Sequence, residues 1–201
     1  MDDLMLSGLV SSRICHDLIN PVGAIGNGME LLRGPGGGEE EMRLIADCAD
    51  AASNSLQFLR IAFGSRAPDE AIETRTLAGA ADAYFARRRV RLDWGDIGDA
   101  VPFRAAQPIL LLALAGAGAL PRGGQLTLSA VETAPLRLEW ALEAGAAKIQ
   151  DRARALLAAR PALADIAPGE VHFVLLWLAA KAAGARPYWS EADGAAAVGL
   201  S

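Results

Sequence analysis

Residues 39–63 read EEEMRLIADCADAASNSLQFLRIAF, and the spacing of their apolar residues predicts one long amphipathic helix. Apolar or small residues recur at alternating intervals of three and four, which is the a/d spacing of a coiled-coil helix. The positions in this stripe are Met42, Ile45, Ala49, Ala52, Leu56, Leu59 and Phe63. The three glutamates at the start favour a first helical turn, where they complement the helix dipole. Gly64 and Ser65 follow the stripe, and a glycine there is typical of a helix end.

The preceding residues, 4–32, carry the same pattern. The stripe runs through Leu18, Val22, Ile25, Met29 and Leu32, and counting backwards at the same spacing adds Leu4, Gly8, Ser11 and Cys15. The sequence GPGGG at 34–38 separates the two stripes and ends the first helix. Because the connection is short, the two helices are expected to form an antiparallel hairpin over residues 1–67.

Two amphipathic helices bury only one face each, so this hairpin needs a further packing partner. A second copy of the chain would supply it, giving a dimeric four-helix bundle. The alternative is that the stripes pack on the rest of the same chain. The dimer is the favoured interpretation, and its predicted core residues are Leu18, Val22, Ile25, Met29, Ile45, Ala49, Leu56 and Leu59.

The first helix contains the segment ICHDLINP at residues 14–21. His16 lies one residue from the stripe, about 100° around the helix, so its side chain is expected at the surface beside the core. The side chains expected to share its face with an approaching protein are Ser12, Arg13, Ile19, Gly23 and Asn27. Several of these are small, which would leave room for that protein.

The chemistry of this segment depends on the histidine. The usual pKa of histidine, about 6.5, leaves much of it uncharged near neutral pH, and a neutral ring nitrogen is a nucleophile. Asp17 would hold the tautomer, although neighbouring helical residues do not normally face each other. Asn20, one turn on, would bond groups near the ring, and Pro21 is expected to bend the helix. We therefore predict His16, Asp17 and Asn20 as catalytic residues. The other histidine, His172, is interpreted as a helix-start or hydrogen-bonded core residue.

The segment HDLINP resembles the H-box of sensor histidine kinases, which reads His-Asp/Glu-Leu-x-Thr/Asn-Pro. It also lies on the first of two heptad helices, as in those kinases. The resemblance implies that His16 accepts a phosphoryl group.

Residues 68–201 have a different pattern, which predicts an α/β domain and makes the whole chain α+β. Helices are predicted at 77–89, 107–120, 148–160 and 171–184, and strands at 90–94, 125–132, 136–142, 186–190 and 195–200. This order resembles the ATP-binding α/β sandwich of histidine kinases.

The residues that hold nucleotide in such kinases are missing. The helix that would carry a magnesium-binding asparagine reads ILLLALAGA at 109–117, without a polar residue. The position of the Asp-x-Gly-x-Gly loop reads LEAGAA at 142–147, without an aspartate. The segment is therefore interpreted as a degenerate ATP-binding domain.

A phosphoacceptor hairpin with a degenerate ATPase-like domain resembles the alphaproteobacterial ChpT histidine phosphotransferases. The resemblance covers the whole chain, with specific motifs in the first helix only. It implies a homodimer that receives phosphate from the receiver domain of a hybrid histidine kinase and passes it to response regulators of the CtrA type. It also implies no cofactor or metal in this chain, with Mg²⁺ in the receiver partner.

Composition and charge argue against some classes of function. The 201 residues carry a formal net charge of −5, whereas a protein that binds nucleic acid is expected to have a basic surface. Nucleic acid is therefore not expected as a partner. The basic run at 87–91 is interpreted as a solvated helix end. The acidic first residues and short apolar runs predict neither a signal peptide nor a membrane span, hence a cytoplasmic protein. In that compartment Cys15 and Cys48 are expected to be reduced and buried.

Three other functions remain open. The chain would be an ATP-dependent kinase if its nucleotide site were divergent. It would be a response-regulator phosphatase if Asn20 oriented a hydrolytic water. It would be a non-enzymatic dimeric scaffold if only the bundle had been retained.

Overall fold

The computed structural model describes residues 2–34, 37–143, 147–192 and 195–201. Two long helices come first, α1 (Asp2–Arg33) and α2 (Glu39–Ala62), and they pack on each other as the predicted hairpin. Helix α1 continues through Pro21, whose side chain is buried. Glu41 accepts a hydrogen bond from the Gly38 backbone N–H at 2.8 Å, which stabilises the start of α2.

The second part of the chain alternates helices and strands, as predicted. The elements are β1 (Ala71–Glu73), α3 (Thr74–Ala86), β2 (Val90–Asp93), β3 (Ala100–Pro102), α4 (Phe103–Gly118), β4 (Gly124–Thr133), β5 (Leu136–Leu142), α5 (Asp151–Ala158), α6 (Val171–Ala182), β6 (Pro187–Ala192) and β7 (Ala195–Leu200). Short 3₁₀ turns at Leu163–Asp165 and Pro168–Glu170 precede α6. The strands β1 and β3 were not predicted, because three residues are too few to show an alternating pattern.

The main sheet has the strand order β2-β4-β5-β7-β6. The β2 and β4 strands are parallel, and the other neighbours are antiparallel. A register shift between Leu128 and Ala130 marks a β-bulge in the β4–β5 hairpin. The strands β1 and β3 form a separate antiparallel pair. With these elements, the predicted α+β fold class is confirmed.

The core lies between this sheet and α4. Residues 108–116 of α4 are all buried, as an apolar helix without a polar face requires. Trp140 at the centre of the sheet is fully buried, and its indole N–H donates to the Ile109 carbonyl at 3.0 Å. The same core extends into the C-terminal part of α2 through Phe58 and Ala62. The division of the chain between residues 67 and 68 stays a prediction.

The buried face of α1 differs from the predicted stripe. Burial follows Arg13, Pro21 and Gly28, with Asp17 between them, rather than Leu4, Gly8, Ser11 and Cys15, which are exposed. The back-counted part of the stripe therefore does not form the inner face of the single chain, which is offset from it by up to two residues. Both cysteines were expected to be buried. Cys48 is buried, but Cys15 is exposed, and both thiols are free. Arg13 and Asp17 are charged, so a stripe of apolar or small residues passes over this part of the inner face.

Helix α2 also buries a neighbouring face, formed by Cys48, Ala51, Phe58 and Ala62. Leu59, predicted in the dimer core, is only 1 % exposed and packs within its own chain, so that assignment is wrong. Ile45 packs inside the hairpin as well, because a Cβ added to Gly28 would lie 2.7 Å from its Cγ1.

The other predicted dimer-core residues differ in exposure. Val22, Met29, Ala49 and Leu56 are exposed in the single chain, and Leu18 and Ile25 are partly buried. Their place in a dimer core stays a prediction.

Among the described residues, no helix combines the length and the hydropathy that a membrane crossing requires.

His172 begins α6 as a buried, hydrogen-bonded residue, as predicted. Its Nδ1 lies 3.1 Å from the Gly169 carbonyl oxygen, which fits a neutral ring that donates from Nδ1. Burial, together with the positive charge of Arg13, lowers the pKa of His172 to about 3.

This burial predicts a pH-dependent stability. Below pH 6.5 the unfolded chain takes up a proton at His172, whereas the folded chain does so only near pH 3. The free energy of unfolding should therefore fall as the pH drops from 6.5 toward 3, by up to about 1.4 kcal/mol per pH unit. In urea unfolding at pH 7 and pH 5, His172→Gln is expected to lose about 2 kcal/mol less than the wild type. Equal losses in both proteins would contradict a neutral, buried His172.

Candidate active site

His16 lies midway along α1 with its side chain open to solvent. The imidazole is 76 % exposed, as predicted from its position beside the stripe. The neighbouring surface is formed by Ser12, Ile19, Asn20, Gly23 and Asn27, all of them exposed. Ile19 is 67 % exposed, and no heavy atom lies within 4 Å of a Cβ built on Gly23. The ring is therefore accessible to a large partner.

Asp17 reaches His16 even though the two residues are consecutive. Its Oδ1 lies 3.3 Å from His16 Nδ1, while the carboxylate is only 6 % exposed. An ionised carboxylate only accepts, so this contact favours the tautomer with the proton on Nδ1. The other ring nitrogen, Nε2, then carries the lone pair and is the nucleophilic atom.

The second carboxylate oxygen of Asp17 has two donors. Tyr84 Oη lies 2.7 Å from Asp17 Oδ2, and Arg13 Nε lies 3.0 Å from it. Burial alone would raise the pKa of Asp17, but the Tyr84 hydrogen bond and the charge of Arg13 outweigh it and lower that pKa below its usual value. Asp17 is therefore a charged carboxylate beside the histidine.

Arg13 does not belong to the accessible surface, so its predicted role in partner binding is wrong. It is 9 % exposed, and its Nη1 donates to the Gly169 carbonyl at 2.7 Å. Its Nη2 lies 3.3 Å from Tyr84 Oη. The prediction assumed that an arginine next to the motif would stay in solvent. Instead, the buried carboxylate one turn away requires a cation, and Arg13 provides it.

Two residues of the site were not predicted, and both come from the α3 region. Tyr84 on α3 is 2 % exposed, and its ring stacks on Phe58 of α2 with 3.9 Å between the ring centroids. Arg88 follows α3, lies 4.0 Å from the Tyr84 ring centroid and donates to Tyr84 Oη at 3.0 Å. Its Nη2 is also 4.0 Å from Asp17 Oδ2. Arg88 is exposed at the end of α3, as the interpretation of the basic run predicted, but it also contacts the buried site, which was not predicted.

Electrostatics in this cluster favour a neutral phenol. Burial raises the pKa of Tyr84, although the charges of Arg88 and Arg13 act in the opposite direction. Tyr84 therefore keeps its hydrogen at neutral pH. Within the described ranges, no group of three or more His, Cys, Asp or Glu side chains is placed to hold a metal ion.

Comparison with known proteins connects this geometry to a family. The model of the histidine phosphotransferase C-terminal domain matches residues 74–195. The protein phosphotransferase ChpT of Brucella abortus (strain 2308) is 42 % identical over 126 residues, which are 62 % of this chain and 60 % of that protein. The chain therefore aligns with less than two thirds of that relative's length.

A solved structure described as a bacterial phosphotransferase matches the whole fold. The TM-score is 0.83 at 30 % identity, and the match covers 100 % of this chain and 98 % of the other. The family model alone spans more than half of the sequence, from α3 to the start of the last strand. We conclude that the chain belongs to the histidine phosphotransferase family.

Proposed function

We propose that this chain is a phosphorelay protein in which His16 accepts a phosphoryl group from a receiver-domain aspartate and passes it to another receiver. The observation that supports this most directly is the pairing of an exposed imidazole with a buried, charged Asp17 at 3.3 Å. A solvent-facing histidine without a partner would have no defined tautomer. Here the carboxylate favours a proton on Nδ1 and leaves Nε2 facing solvent as the nucleophile.

In the proposed step, the Nε2 lone pair attacks the phosphorus of the receiver's phosphoaspartate. The P–N bond forms as the bond to the aspartate oxygen breaks, and the carboxylate leaves with its electron pair. The imidazole gains positive charge, which Asp17 offsets through Nδ1–H. The reverse reaction delivers the group to a second receiver, so one exposed histidine serves both directions. Mg²⁺ would be held by the receiver, which supplies the charge on the phosphoryl oxygens.

The surface around His16 suits such a docking partner. Ile19 offers an exposed apolar contact, and Ser12, Gly23 and Asn27 leave space on the same face. Asn20 lies one turn from His16 and would bond the incoming phosphoryl group or its receiver. From the family resemblance we infer a hybrid-kinase receiver as donor and CtrA-type regulators as acceptors, in the cytoplasm.

We further propose that ATP is not the phosphoryl donor. Residues 109–116 of α4 are all buried apolar or glycine residues, so this segment presents no side chain that would coordinate magnesium. The other segment on which this prediction depended, the loop at 142–147, lies partly outside the described residues, at 144–146.

The hairpin also supports the proposed homodimer. All the large apolar side chains that are exposed among the described residues lie on α1 and α2, and they are Leu4, Met5, Ile19, Val22, Met29, Leu31, Met42, Leu44 and Leu56. An apolar surface confined to one hairpin is typical of a protein interface. Two copies of the hairpin would cover the part of this surface that lies away from His16 as a four-helix bundle, with Ile19 left for the receiver.

His16→Ala is expected to abolish phosphoryl transfer, because it removes the attacking nitrogen. The wild type, incubated with a ³²P-labelled hybrid-kinase receiver, should acquire label that is stable in base and labile in acid. Cys15→Ser is the matched control, since this exposed thiol is the neighbouring nucleophile, and it should keep the label. Label on the His16→Ala protein would contradict the role of His16. Release of free phosphate without a phosphohistidine would instead indicate a phosphatase.

Titration with Mg-ATP in a calorimeter is expected to give no saturable heat at millimolar nucleotide, because residues 109–116 of α4 offer no polar side chain to magnesium. An active histidine kinase serves as the positive control. Binding at micromolar nucleotide would contradict the proposed donor and favour an ATP-dependent kinase.

Leu56→Glu is expected to dissociate the dimer, because it places a charge in the apolar surface of the hairpin. Sedimentation equilibrium should give twice the chain mass of 20.9 kDa for the wild type and a single chain mass for the variant. Gln57→Glu adds the same charge at the adjacent exposed position and should remain dimeric. A wild-type protein that sediments as a single chain would contradict the dimer.

A further inference from the structure

Tyr84 is the point where three elements meet behind the active histidine. Its hydroxyl oxygen lies within hydrogen-bond distance of Asp17, Arg13 and Arg88, at 2.7, 3.3 and 3.0 Å. Its ring is nearly parallel to that of Phe58, with an interplanar angle of 7°. Because the side chain is almost fully buried, the hydroxyl is held in one place.

The direction of each hydrogen bond follows from the available protons. Guanidinium groups only donate, so the two arginines must donate to the lone pairs of the hydroxyl oxygen. A charged carboxylate only accepts. The single hydrogen of Tyr84 is therefore directed at Asp17 Oδ2.

This arrangement divides the two oxygens of Asp17 between two tasks. Oδ2 receives hydrogen bonds from Tyr84 and from Arg13 Nε. Oδ1 is the oxygen next to His16 Nδ1. Fixing Oδ2 sets the rotation of the carboxylate and thereby the place of Oδ1.

We propose that Tyr84 is a positioning residue for phosphoryl transfer, which orients the Asp17 carboxylate so that His16 keeps its proton on Nδ1 and presents Nε2 to the phosphoryl group. This inference rests on the proposed function for its effect on rate. It means that a residue of α3, outside the phosphoacceptor hairpin, helps to orient the imidazole of His16 through Asp17. Since burial raises the pKa of Tyr84, the hydroxyl retains the hydrogen that this role requires.

Tyr84→Phe is the first test, because it removes the hydroxyl and keeps the ring that stacks on Phe58. The tautomer of His16 is read by ¹⁵N NMR of the unphosphorylated protein, in which the chain's two histidines are assigned with His172→Gln. The wild type should show mainly the Nδ1–H form, and the variant a mixture with Nε2–H. Transfer from the labelled receiver should slow about tenfold, as loss of one hydrogen bond to a charged group predicts.

Tyr188→Phe is the matched control. Tyr188 is the other tyrosine of the chain, and its hydroxyl donates to Glu139 on the sheet. Removing that hydroxyl should change neither the His16 tautomer nor the transfer rate. A Tyr188→Phe protein with the same defects would overturn the specific role of Tyr84.

A double-mutant cycle tests whether Tyr84 acts through Asp17. Asp17→Asn alone should shift the tautomer and slow transfer, and adding Tyr84→Phe should produce little further change. If Tyr84→Phe does not fold, Asp17→Asn still decides, since wild-type behaviour of that variant would overturn the proposal. Independent, additive effects of the two substitutions would overturn it as well.

The outcomes separate this inference from the proposed function. If the wild type is phosphorylated on His16 and Tyr84→Phe matches it in tautomer and rate, the role of Tyr84 is overturned and the phosphorelay function stands. If the wild type accepts no phosphoryl group, the function fails. The tautomer measurement, which needs no phosphate, then still tests the orientation by Tyr84.

Discussion

The buried carboxylate of Asp17 is the constraint on which the arrangement of the site depends. A charge with 6 % exposure must be paired and hydrogen-bonded, or its desolvation would destabilise the fold. Arg13, on the same helix as Asp17, pairs with the charge, and Tyr84 on α3 donates a hydrogen bond to it. Arg13 also bonds the Gly169 carbonyl, so one anion connects α1 with α3 and the turn before α6. Among the described residues, no buried polar side-chain atom lacks a hydrogen-bond partner.

The same requirement explains why the hairpin is anchored to the α/β part rather than held by apolar contacts alone. Phe58 of α2 stacks on Tyr84, which places an aromatic contact next to the polar one. The inner face of α1 is consequently a mixed face of small, apolar and charged residues. The opposite apolar residues, such as Val22 and Leu56, stay exposed and are free to contact another molecule. The hairpin thus uses different faces for internal packing and for an external surface.

Two adjacent residues of α1 divide the roles of accessible group and buried charge. His16 is 76 % exposed, which a group that must meet another protein requires, whereas the carboxylate beside it is buried. Burial of the acid strengthens its electrostatic effect on the ring, since less water screens it. Because phosphoryl transfer depends mainly on position and charge, this pair of neighbours supplies much of what the reaction needs from the accepting protein. The buried guanidinium of Arg13 pairs with this acid and keeps it charged.

The amino-acid sequence predicted the two long helices, the order of the later elements, the exposed position of His16 and the identity of Asp17 as its neighbour. These features follow from local periodicity, turn residues and a short motif. It did not determine the inner face of α1, because Arg13 and Asp17 are polar and an apolar pattern passes over them. Leu59 was assigned to a dimer core for a different reason, since periodicity cannot tell an internal from an external partner. Tyr84 and Arg88 lie 67 and 71 positions from Asp17, so only the folded chain brings their donors to its carboxylate, where burial makes pairing obligatory.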